Sequence, residues 1–174
     1  FSLGFIDDLK VKINPNIRLI LMLGILVFCI NIFSIQITKS GLEFLNLWLT
    51  NNIFQVCFVL LCFLFVVNGA NLVDGFNGLL AIHLLLINSI FLLINLIYQN
   101  NDISIILFSQ ILIVLSFLIF NFPKAKIFLG DSGSYLLGSL IVLNAIKTYE
   151  LNPQISPFFF AGVLFYLFYE VFFS

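Results

Sequence analysis

Residues 103–122 read ISIILFSQILIVLSFLIFNF, an apolar run without a charged side chain. A helix needs about 20 such residues to cross the hydrocarbon core of a bilayer. Five further apolar runs lie along the chain, at 17–37, 53–67, 79–98, 134–149 and 157–173. The second of them is short unless it borrows from the polar segment behind it. The composition points the same way: 62% of the 174 residues are hydrophobic and 9% charged, and mean hydropathy is +1.20. A soluble domain is about 45–50% apolar and about 25% charged, and no polar skin of this size would hide so much apolar surface. The pattern predicts an all-α, polytopic transmembrane helix bundle of about six spans. It is read as a single membrane domain over residues 1–174.

Other features narrow the class. The net charge of −1 offers no basic field to nucleic acid. Cys29, Cys57 and Cys62 lie in apolar runs, at spacings that suit neither zinc nor a disulfide framework; they read as small packing residues. Residues 41–50, GLEFLNLWLT, are too few to span, and Trp48 suits a segment lying at the membrane interface. The chain opens on Phe1, and its last apolar run stops without a flanking loop. Both ends are therefore read as cut, leaving part of a larger fold.

Following the chain through these spans puts residues 1–16, 68–78 and 121–133 on one face. Segments 38–52, 99–102 and 150–156 fall on the other. The first face collects Lys10, Lys12, Arg18, Lys124 and Lys126, and the second Lys39 and Lys147. An excess of Lys and Arg marks the cytoplasmic side, so the first face is read as cytoplasmic. The polar, glycine-rich stretches GFIDDLK, NGANLVDGFNG and NFPKAKIFLGDSG all lie on it.

Each stretch has its own chemistry. Asp7 and Asp8 are adjacent carboxylates, which repel unless a cation or shared proton relieves them. Mg²⁺, a hard cation bound through one or two carboxylates and phosphate oxygens, fits. In residues 68–79 glycines would let the backbone approach a ligand. Asn71 and Asp74 are three apart and share a face on a helical turn. In the third stretch Asp131 or Ser132 would cap the fifth helix, whose N-terminus suits phosphate. Gly130, Ser134 and Gly138, four apart, form a seam for close helix packing. Carboxylates in three loops on one face imply a metal and phosphate site, and the bilayer suggests that one substrate is a lipid.

Together GF-x-DD, N-x-x-N-x-x-DG-x-x-GL and NF-x-x-AK-x-F-x-GD-x-GS resemble the polyprenyl-phosphate N-acetylhexosamine-1-phosphate transferases of glycosyltransferase family 4. The likeness covers nearly the whole chain. It implies transfer of an N-acetylaminosugar-1-phosphate from a UDP-sugar to undecaprenyl phosphate with release of UMP, in a bacterial plasma (inner) membrane. It further implies Mg²⁺, with Mn²⁺ as a substitute, and Asp131 as metal ligand. Asp7, Asp8 and Asp74 fall at catalytic positions. Asn71, Asn121, Phe128, Lys10 and Arg18 fall at substrate-binding ones, Phe128 as a uracil-stacking aromatic. The peptidoglycan members suggest a homodimer. Asn77 stands where many relatives carry a third aspartate, which favours an O-antigen or capsule-type enzyme over the pentapeptide transferase. The family's His-rich loop would lie beyond residue 174.

His83 is the only histidine. No family motif falls on it, and it reads as an interhelical hydrogen-bonding group, like Asn31, Asn88, Asn95 and Asn144. The rival class is a transporter or channel, which would place polar groups near mid-membrane in a pseudo-symmetric repeat; no such repeat is visible.

Overall fold

The computed structural model describes residues 2–9 and 14–173, without the side chains of Leu3, Asp7 and Pro15. Among the described residues the fold is all-α. In chain order the helices are α1 (Ser2–Asp8), α2 (Pro15–Ile32), α3 (Glu43–Leu49), α4 (Asn52–Val73), α5 (Leu79–Ile97), α6 (Asn101–Asn121), α7 (Gly130–Leu151) and α8 (Pro157–Phe173). Three of them, α4, α5 and α6, are long and apolar enough to cross a membrane; α8 and residues Asn16–Ile32 of α2 are shorter apolar helices. These helices are apolar on their outward faces too. Ile53, Leu93, Ile105, Ile113, Ile119 and Phe165 are exposed, as expected where the surroundings are lipid.

The centre of the bundle is α7, which packs on α1, α4, α5, α6 and α8, while α4 also carries α2, α3 and α8. Val59, Val66, Ala70, Phe91, Leu107, Ile141 and Leu167 are sealed between them. Buried amides tie the same helices. Asn144 Nδ2 donates to Gln110 Oε1 at 2.7 Å and to Asn88 Oδ1 at 3.1 Å. Towards the far end Asn95 Nδ2 donates to Thr148 Oγ1 at 2.9 Å, and Asn152 Nδ2 to Asn95 Oδ1 at 3.2 Å. Asn31 differs from the expectation: its amide turns back onto Val27 O of its own helix at 2.8 Å. His83 packs by stacking on the Tyr166 ring of α8, with centroids 4.2 Å apart.

One element boundary corrects the sequence reading and a second completes it. The first span ends at Ile32 rather than residue 37. Ser34 takes φ +48°, and Ile35 N–H closes onto Ile30 O, a left-handed turn that terminates the helix. The second span does borrow from the polar motif, as its length required: α4 continues as helix through residues 68–73. Gly69 shows why. A Cβ there would fall inside van der Waals contact of the Leu167 carbonyl on α8. The small residue serves close helix approach, as is common between membrane helices. Gly69→Ala must push α8 away. It is expected to destabilise by roughly 1–3 kcal/mol, read as a fall in thermal midpoint of the full-length protein in detergent.

The α3 helix is too short to span, as expected, and its Trp48 stands exposed and edge-on to Phe54 at 5.5 Å.

Candidate active site

The site forms around the first turn of α7. Every helix start leaves backbone N–H groups without an intrahelical partner. The expected local cap is absent: α7 begins at Gly130, Leu129 holds the N-cap position, and no side-chain cap bond comes from it. Asp131 lies inside the first turn, and the caps come from other motifs. Asp8 Oδ1 accepts from Asp131 N–H at 3.0 Å. Asp8 Oδ2 accepts from Ser132 N–H at 3.0 Å and from Ser132 Oγ at 2.6 Å. Asp74 Oδ2 accepts from Gly130 N–H at 3.0 Å. Gly130, at φ +66°, lies so close to Asp8 that a Cβ would sit 2.8 Å from Asp8 Oδ1. Glycine is required there twice, by backbone angle and by space.

The phosphate-ready helix end inferred from the sequence is thus occupied by two carboxylates from within the chain. Their charges are favourable at the positive end of the helix dipole, and they turn an anion-binding feature into a site with negative charge to spare.

Asp131 is held from two sides. Asn71 Nδ2 donates to Asp131 Oδ1 at 2.7 Å and to Ser134 Oγ at 3.0 Å. Arg18 pairs with Asp131 Oδ2 at 3.2 Å, and its Cζ lies 6.0 Å from the Tyr135 ring centroid. The structure therefore brings together Asp8, Arg18, Asn71, Asp74 and Asp131. The Asp7 side chain and Lys10 lie outside the described residues.

Asn121 and Phe128 border this cluster differently. The Asn121 side chain is buried; its Oδ1 accepts from Gly78 N–H at 2.6 Å, and its Nδ2 donates to Ile127 O at 2.7 Å. It fastens the second motif to the third from beneath. Phe128 stands exposed on the loop before α7. Asn77 Nδ2 donates to Pro123 O at 3.3 Å, a bond that an aspartate, ionised and acceptor-only, would not make. Ser132 and Ser134 join the site as groups the sequence reading passed over, one as a cap and the other as a packing residue. The signal was present in the GDSGS run, but their partners are distant in sequence.

The electrostatics separate the carboxylates. Partial desolvation would raise Asp8, but the hydroxyl of Ser132 and the N–H groups of Ser132 and Asp131 outweigh it and hold the carboxyl below its ordinary range. Asp74 goes the other way. Burial pushes it up, the Gly130 and Leu129 N–H groups oppose that, and the charges of Asp131 and Asp8 add to the rise. By linkage, Asp8 contributes stability that is present above the ordinary carboxylate pKa and lost as pH falls through its depressed value. Asp74 has the opposite sign. Between its ordinary and raised values the folded chain holds a proton that the unfolded chain does not, so stability falls as pH rises through that window. Asp74→Asn keeps an acceptor for Gly130 N–H and removes the charge. In metal-free buffer, with a chelator present, it is expected to raise the thermal midpoint at pH 7 and leave it unchanged below pH 4, in melts at both pH values.

Whether the residues suit a divalent cation follows from the same arrangement. Among the described residues no three acidic, His or Cys side chains form a metal cage. Mg²⁺ needs no such cage, since one or two carboxylates plus phosphate oxygens and water suffice. The oxygen donors are of the right hardness, and the mutual repulsion felt at Asp74 is what a cation would relieve. The residues fit.

The model of glycosyl transferase family 4 matches residues 1–149. The chain belongs to that family. It is similar to the phospho-N-acetylmuramoyl-pentapeptide-transferase of Streptococcus mutans serotype c, at 30% identity over 156 residues, covering 83% of this chain and 45% of that protein. The enzyme of the same name from Dictyoglomus turgidum is 32% identical over 155 residues, 86% of this chain and 50% of that protein. That from Listeria monocytogenes serovar 1/2a is 33% identical over 158 residues, 86% and 49% respectively. The chain spans about half the length of these curated relatives. No solved structure matches it.

Proposed function

We propose that the full-length protein transfers an N-acetylaminosugar-1-phosphate from a UDP-sugar to undecaprenyl phosphate. A lipid phosphate oxygen attacks the β-phosphorus of the donor. A new P–O–P linkage forms, the bond between the bridging oxygen and the β-phosphorus breaks, and UMP leaves with that oxygen. The observation that carries this reading is the convergence of Asp8, Asp74 and Asp131 on one helix start beside Arg18, in a chain of family 4.

Asp131 would hold Mg²⁺, with Asp8 at its side. The cation, when bound, supplies charge neutralisation at the diphosphate and at the leaving phosphate. The chain's own residues position. Asn71, itself anchored on Ser134, fixes the Asp131 carboxylate; Ser132 fixes Asp8; Asn121 locks the loop that presents Phe128 to the uracil. A phosphate already ionised at neutral pH needs little help from a base, so positioning and electrostatics carry the rate. In this reading the apolar helices make six crossings, with the three motifs at the cytoplasmic face of a bacterial plasma membrane.

For the donor, the names of the relatives favour UDP-N-acetylmuramoyl-pentapeptide. The sequence feature favouring an O-antigen or capsule-type donor such as UDP-GlcNAc was Asn77. Its amide has a local use, the bond to Pro123 O, and so says little about the sugar. The test is a donor panel with the full-length protein in membranes. Labelled lipid from the pentapeptide donor alone supports the first assignment; labelled lipid from UDP-GlcNAc alone reverses it. No lipid product from any UDP-N-acetylaminosugar contradicts the transferase reading.

A further inference from the structure

Asp131 has two oxygens and two donors of unequal hold. The bond from Asn71 to Oδ1 is 2.7 Å, and the same amide is anchored on Ser134 Oγ. The contact from Arg18 to Oδ2 is 3.2 Å, and both side chains of that pair are about 30% exposed, at 32% and 30%. Charge-assisted N–H···O bonds run to about 2.7–2.9 Å, so the arginine contact is the looser one. Exposed pairs of this kind contribute little net stability.

A divalent cation bound at Asp131 needs a carboxylate oxygen. Two positive groups at one carboxylate repel each other. The Tyr135 ring, 6.0 Å from Arg18 Cζ, offers the guanidinium an attractive surface independent of the carboxylate.

From this geometry we infer that Arg18 is an exchangeable counter-ion of Asp131: it competes with a divalent cation for Oδ2, and on yielding that oxygen it becomes a ligand for substrate phosphate. The inference rests on the metal-dependent reading of the site. It differs from a plain phosphate-binding role, because it couples Arg18 to metal affinity with a definite sign.

The probe is Mn²⁺ binding to the full-length protein in lipid nanodiscs, followed by electron paramagnetic resonance without substrate. Arg18→Gln removes the competing charge and is expected to bind Mn²⁺ about 5- to 20-fold tighter, while KM for the donor rises. Arg18→Lys retains a competing cation and should stay near the native Mn²⁺ affinity. Arg18→Met, which fills the space beside Tyr135 without charge, carries the same expectation as Arg18→Gln should that variant fold poorly. Unchanged or weaker Mn²⁺ binding in the folded uncharged variants overturns the exchange. Absence of Mn²⁺ binding in the native protein overturns the metal-dependent reading together with it. Native binding and transfer without a gain in the variants overturn the exchange alone.

Discussion

Asp131→Asn lowers transfer by the full-length protein at least about 10³-fold while leaving its thermal midpoint nearly unchanged. Among the described residues this carboxylate is the one in the cluster held by side chains from two other helices, Asn71 of α4 and Arg18 of α2. Removing one preorganised electrostatic group typically costs about 10²–10³ in rate, and a metal ligand carries further charge stabilisation with it. The fold should notice little. Asparagine is nearly isosteric, can still accept from Asn71, and gives up an ion pair exposed enough to contribute under about 1 kcal/mol. The check is transfer measured alongside a melt on the same preparation. A collapse of stability matching the loss of activity would make Asp131 a structural residue instead.

Gly4→Ala should cost about 10²-fold or more in transfer, although Gly4 has no polar side-chain group to offer a substrate. Gly4 and Asp8 are four apart on α1 and so share a face, the face turned to α7. A Cβ at Gly4 would fall inside van der Waals contact of the Asp131 carbonyl and Ser132 nitrogen. The helix must lift, and the three hydrogen bonds that Asp8 accepts from Asp131 and Ser132 lengthen together. A displacement of about 1 Å is enough for a loss of that size. Gly162→Ala is the control: nothing lies within 4 Å of its added Cβ, and replacing a helical glycine there should be neutral or slightly stabilising. Full activity in Gly4→Ala would show that the seating of α1 on α7 is dispensable.

These two positions show what was legible in the sequence and what was not. The apolar runs and the gathering of three polar stretches could be read directly, because both follow from one-dimensional pattern. The family motifs likewise singled out Asp8, Asn71, Asp74 and Asp131, which do meet. The manner of their meeting was hidden. The cap of α7 was sought in Asp131 and Ser132, the local candidates, but its N–H groups are satisfied by Asp8 and Asp74 from far along the chain. Residues 68–73 read as a loop because Gly and Asn break helices in water; here Gly69 meets α8, and Ala70 lies against Gly138 of α7. Packing between helices overrode local propensity. Asn77 was read as a missing carboxylate, whereas the structure uses its amide as a donor to Pro123 O.

The most direct test of the account is the fate of the donor's β-phosphorus. The full-length protein in membranes is given undecaprenyl phosphate, Mg²⁺ and a UDP-N-acetylaminosugar labelled at that atom. The account predicts that the label moves to the lipid in step with the release of unlabelled UMP, and that chelation of Mg²⁺ stops both. Release of labelled UDP, with sugar alone reaching the lipid, would contradict attack at phosphorus and the role given to the carboxylates around α7.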